Sequence, residues 1–216
     1  MSQHLVRARR PQIRVSNFPL YDTVKIGGST SVSSTTYRLF QNGEGANADG
    51  FTSKTIAETN LSRQGGLPLG QSYSISSLGV AIFQADVSSH VGSEDAFKQA
   101  IDVQNIASKL VLQYNNADLT QTFGPIAMFP AGGGIVSSGN LGATGSTSGN
   151  PGSISNNGVP AAGARMRFQE PIILRDGVSF AWILNQPEAI TLAMGSSAYY
   201  SIRVMLFGTS FVEVAE

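Results

Sequence analysis

Four arginines and no acid lie in the first 21 residues: Arg7, Arg9, Arg10 and Arg14. Guanidinium groups gathered near a chain end suit phosphate oxygens, whether of a nucleic-acid backbone or of lipid headgroups. A solvated tail, or a latch onto a neighbouring subunit, would use the same residues. The chain is neutral overall, so residues 22–216 carry −4 against the +4 of that segment. Such asymmetry reads as a basic arm on a mildly acidic body.

The catalytic inventory is thin. The two histidines are His4, inside the arm, and His90, in a polar turn. A Ser–His–Asp triad would have to use His90. Gly145-Ser146-Thr147-Ser148-Gly149 has threonine where a nucleophile elbow needs serine. Asp86, Glu94 and Asp95 beside His90 could form an oxygen-rich cation site, but a solvated turn is much the better account of them. There is no cysteine, hence no thiolate metal site, disulfide or thiol nucleophile, and two histidines exclude a His-rich metal centre. Gly43-Glu44-Gly45-Ala46-Asn47-Ala48 fits a loose dinucleotide fingerprint, but residues 49–61 show no helical stripe, so it reads as a surface loop. No P-loop is present. These features point away from an enzyme, a cofactor and a small-molecule substrate.

The elements that would position any site are strands. At residues 199–214, Tyr200, Ile202, Val204 and Leu206 alternate with Tyr199, Ser201 and Arg203, the period-2 pattern of a half-buried strand. Gly208 breaks the run where a bulge fits. So long an apolar strand needs neighbours on both sides, and it reads as the central strand closing the fold. Residues 24–32, broken by Gly27-Gly28, and residues 35–41 predict two earlier strands. Residues 71–86 predict a long one whose phase slips at Ser76-Ser77. Residues 110–114 and 119–129 predict further strands, as do residues 165–174. Val178, Phe180, Trp182 and Leu184 mark one core face. Ser93 followed by Glu94 and Asp95 predicts a helix start. Its stripe of Phe97, Ala100 and Ile101 decays after Val103, which predicts a stop near Gln104.

Charged residues make up 13% of the chain. From 131 to 163 it is Gly, Ser, Asn, Ala and Thr-rich, with ten glycines, and no charge occurs from 119 to 164. Such a stretch cannot bury enough apolar surface to fold alone and predicts a flexible insertion. The reading is therefore a basic arm at 1–21 and one all-β domain at 22–216. That domain is an eight-stranded jelly-roll or Greek-key sandwich with one short helix. The opening residues lack the apolar stretch of a secretory signal, which predicts synthesis in the cytoplasm.

Taken in order, the basic arm, the charge-poor β body, the long insertion and the closing hairpin resemble the jelly-roll capsid proteins of tailless icosahedral viruses, particularly bacteriophages. Thr59-Asn60-Leu61 through Leu67-Pro68 and the strand at 72–84 resemble the early part of such proteins. Phe168-Gln169-Glu170-Pro171 through Phe180, then residues 200–208, resemble their closing strands. The resemblance implies a major capsid or penton subunit in the virion. Its partners would be copies of itself and other capsid proteins, with genome or internal-membrane headgroups met by the arm. Strands for about one sandwich favour a single over a double jelly roll. A carbohydrate- or receptor-binding β-sandwich, which would need Trp182 exposed, and a tail or baseplate component are the alternatives.

Overall fold

The computed structural model describes residues 12–84, 93–116, 120–129, 136–138, 153–155 and 165–214. Strands dominate them. In chain order they are β1 (Gln12–Ser16), β2 (Leu20–Gly27), β3 (Ser31–Val32), β4 (Thr35–Leu39), β5 (Gln71–Gln84), β6 (Val111–Asn116), β7 (Thr120–Pro125), β8 (Val136–Ser138), β9 (Ser153–Ser155), β10 (Met166–Leu174), β11 (Phe180–Gln186), β12 (Ile190–Thr191) and β13 (Tyr199–Val214). The helix α1 (Ser93–Lys109) joins β5 to β6.

Two antiparallel sheets form the body. One runs β1-β13-β5-β10, with β2 also paired to β13; the other runs β4-β11-β6-β7. Two ribbons, β3 with β12 and β8 with β9, are separate. Side chains from both main sheets share one buried cluster, including Val24, Ile75, Val204 and Leu206 from the first and Leu39, Leu112, Trp182 and Leu184 from the second. Full burial of each such side chain contributes about 1.5–3 kcal/mol. The architecture is all-β, as its alternating sequence predicts.

β13 is central, as expected. β5 lines its length on one side, while β2 and β1 follow one another along the other. Tyr200, Ile202, Val204 and Leu206 are fully buried. The register between β13 and β5 shifts between Phe207 and Gly208, where Phe207 faces Ser77 and Gly208 faces Ile75. Ser76 is the extra residue of a bulge. The bulge resets the pleat, so Tyr73 and Ile75 before it and Leu78 and Val80 after it are all buried. That is the origin of the phase slip at Ser76-Ser77.

Several expectations change. Residues 12–16, within the segment read as an arm, form β1 against Ser210–Val214 of β13, and Leu20 and Tyr21 open β2. Ile13 and Val15 alternate with Gln12 and Arg14, a strand period easily hidden between Pro11 and Pro19. Val178 precedes β11 and is exposed, because the turn at Gly177 (φ +69°) delays the strand until Phe180. The helix passes Gln104 and ends at Lys109. Its buried stripe is Asp102, Val103 and Ile106, continued by Leu110, and Ile101 is exposed. An aspartate inside that stripe hid it. Apart from β8 and β9, the insertion at 131–163 lies outside the described residues. Among the described residues no helix is long and apolar enough to cross a membrane.

Candidate functional site

Of the four candidate phosphate contacts, Arg14 alone lies within the described residues. It is exposed on β1, opposite Val212 of β13. Arg7, Arg9 and Arg10 lie outside. The chain enters β1 where β13 ends, beside the turns that carry Gly70 and Asp176; Gly70 accepts from the Glu213 amide (2.9 Å) and donates to Asp176 (2.9 Å). His4, His90, Asp86 and residues 145–149 also lie outside the described residues, as do the side chains of Glu94 and Asp95. Among the described residues no group of three or more His, Asp or Glu could hold a metal ion.

Near that end the first sheet offers an apolar outward face. Val15 pairs directly with Phe211, and Ile13 with Glu213. Ile13 is 60% exposed, Val15 56% and Phe211 38%. Ile173 on β10, 60% exposed, projects across Ser74 of β5. Between β1 and β2 the chain leaves β13 at Asn17-Phe18-Pro19, opposite the β5 bulge. A groove of about 640 Å³ opens there, lined by Phe18, Ser76, Arg165, Phe207 and Thr209 among others. The Arg165 guanidinium carbon sits 3.6 Å from the Phe207 ring centroid, a stacked cation on an aromatic face. Thr209 donates to Asn17 Oδ1 (2.9 Å), closing the floor. This face offers stacking and apolar contact, and no nucleophile stands beside a base in it.

The densest chemistry is buried. Lys54, fully buried, places Nζ 2.7 Å from Asp22 Oδ1 and 2.6 Å from Asp49 Oδ2. Asp22 also accepts from the Phe40 amide (2.6 Å, Oδ2) and the Thr23 amide (2.9 Å, Oδ1). Burial raises the Asp22 carboxyl above its usual range, opposed by Lys54 and these amides. The loop at residues 43–48, read as a surface loop, wraps this lysine: Gly45 N–H donates to the Lys54 carbonyl (2.7 Å) and Lys54 N–H to the Ala46 carbonyl (2.9 Å). The same loop covers the outer edge of β2, through Lys25 N–H to Asp49 O (2.8 Å) and Tyr21 N–H to Asn60 Oδ1 (2.9 Å). Covering an open edge in this way blocks unwanted strand pairing.

Compared with protein-family models, curated proteins and solved structures, the chain matches none. Its geometry must therefore carry the reading. Sequence reasoning missed Asp22, Asp49, Lys54 and Asp102. One signal existed: Leu20, Asp22, Val24 and Ile26 share a face, so an acid stood in an apolar phase, and a buried acid requires partners. Nothing around Lys54 marked it as that partner.

Proposed function

We propose that the chain is a structural shell subunit, a single jelly roll that assembles with copies of itself into an icosahedral capsid, as major capsid or penton protein. The observation that supports this is the strand order. Numbering β2, β4, β5, β6, β7, β10, β11 and β13 one to eight, the sheets read 1-8-3-6 and 2-7-4-5. That is the order produced when one long antiparallel hairpin is rolled into two facing sheets, the jelly roll of many capsid and lectin domains. Fold alone does not give function. The apolar outward face of Ile13, Val15, Phe211 and Ile173 adds a self-association surface, and the low charge of the chain suits contacts repeated by symmetry.

A glycan-binding sandwich would share the strand order. It would need an exposed aromatic platform, and Trp182, the only tryptophan, is fully buried between Phe123 (5.3 Å, stacked) and Tyr114 (5.2 Å). In the shell reading Arg7, Arg9 and Arg10, together with the exposed Arg14 of β1, meet genome or membrane headgroups inside the virion. The test is light scattering with negative-stain imaging of the full chain across salt concentrations. Closed particles, or pentamers and trimers, are expected. A monomer under all conditions that binds glycans would overturn the reading.

A further inference from the structure

We propose that Lys54 and Asp22 condense into an intramolecular amide bond, with Asp49 as the proton carrier. The reactants are already in contact. Lys54 Nζ is 2.7 Å from Asp22 Oδ1, and both residues are shut off from water. Asp49 Oδ2 lies 2.6 Å from the same Nζ and retains slight solvent contact. Held reactants of this kind can reach very high effective concentrations, which offsets the unfavourable equilibrium of amide formation in water.

The step balances without an oxidant or a co-reactant. Asp49 takes a proton from the Lys54 ammonium and leaves a free amine. The amine attacks Asp22 Cγ. Oδ2, held by the Phe40 amide at 2.6 Å, carries the developing negative charge and remains as the amide oxygen. Oδ1 leaves as water, taking one proton from the nitrogen and one from Asp49. An ammonium and a carboxylate thus become an amide and one water, and Asp49 returns to its starting state.

Three observations favour this over a permanent ion pair. The cluster holds three ionisable groups in a nearly dry site, where each buried charge costs desolvation. Condensation leaves the net charge unchanged but removes the two most deeply buried ions, so that the one remaining charge is on Asp49, the most solvated of the three. Next, Phe40 (φ +64°) and Asp49 (φ +57°) are the non-glycine residues in the left-handed region among those described, and both touch the cluster. Backbone held in such conformations gathers where a site is being shaped. Finally, the bond would tie the 40–61 loop to β2 in a chain that has no cysteine for a disulfide.

The experiment is intact mass spectrometry of the purified full chain, followed by tryptic digestion after denaturation. The expected mass is one water below that of the sequence. Digestion should yield a branched peptide joining residues 15–25 to residues 39–63, uncut after Lys54. Asp22→Asn should lose ammonia in place of water, and Asp49→Asn should keep its full mass. Full mass in the natural sequence, with cleavage after Lys54, overturns the proposal, and needs no variant to fold. Loss of water in Asp49→Asn would overturn the role given to Asp49.

Discussion

The phenol of Tyr200 donates a 2.6 Å hydrogen bond to Oδ2 of Asp102, and both side chains are fully buried. The contact joins α1 to the central strand β13. Asp102 also accepts from the Ala193 amide (2.5 Å, Oδ1) and the Met194 amide (3.1 Å, Oδ2), fixing the turn that leads into that strand. One carboxylate therefore orients helix, turn and strand together. Asp102→Asn keeps the volume but provides one acceptor oxygen where three donors converge on two. The expected loss is about 1–3 kcal/mol, read as a lower urea midpoint at constant slope, and Asp102→Ala should lose more. An unchanged midpoint would mean that water satisfies the donors.

Much of this arrangement was legible in the chain and some of it was not. Tyr200 to Leu206 was readable from its alternation, and Phe180 to Leu184 as a continuous apolar run buried on both faces. The bulge was readable as a phase slip at Ser76-Ser77, with Gly208 as its partner. What escaped were polar residues that the core accepts because something distant satisfies them. Asp22 lies 32 positions from Lys54, and Asp102 lies 98 from Tyr200. No local pattern encodes either pairing. Asp102 also interrupted the apolar stripe of α1, which made the helix look shorter than it is.

Gly208 is required by space. A Cβ there would lie 1.9 Å from the Ser74 carbonyl oxygen and 2.8 Å from its carbon. Both are backbone atoms of the facing strand and cannot turn aside. Gly208→Ala should cost roughly 3 kcal/mol or more, the upper end of overpacking effects. Gly177→Ala provides the contrast, since its φ of +69° is strained but no heavy atom lies within 4 Å. Its cost should be about 1 kcal/mol. Thermal melts of the two variants side by side would separate steric from conformational demand, and equal losses would refute the distinction.

Trp182 packs along the inner face of its own sheet, stacked on Phe123 of β7 and tilted against Tyr114 of β6, and its buried Nε1 has no hydrogen-bond partner. Trp182→Ala should cost about 3–5 kcal/mol. Trp182→Phe keeps the aromatic stack and removes the orphan donor, so it should cost well under half as much. Denaturant unfolding measures both. A loss near zero for the alanine variant would place the indole outside the core and revive the glycan-platform reading.

Alkaline pH tests the buried phenols. Burial, reinforced by the Asp102 carboxylate, pushes the Tyr200 hydroxyl far above its ordinary 10.0. Burial pushes Tyr73 up to about 12, despite the Leu20 and Gly208 backbone groups, which favour its ionised form. The single Tyr73 hydroxyl proton lies between the Phe18 carbonyl (2.6 Å) and the Leu206 carbonyl (2.9 Å), which holds the break between β1 and β2 against β13. Both folded values exceed the unfolded one, so the unfolded chain releases these protons first. The stability that the neutral hydroxyls provide is complete below pH 10 and is lost as pH rises through the folded values. Above pH 10 each phenol should remove up to about 1.4 kcal/mol per pH unit. Tyr73→Phe should flatten part of that slope. Tyrosinate absorbance provides the direct check, because these two phenols should ionise together with unfolding. Ionisation of all six tyrosines near pH 10, with the fold retained, would contradict the burial assigned to them.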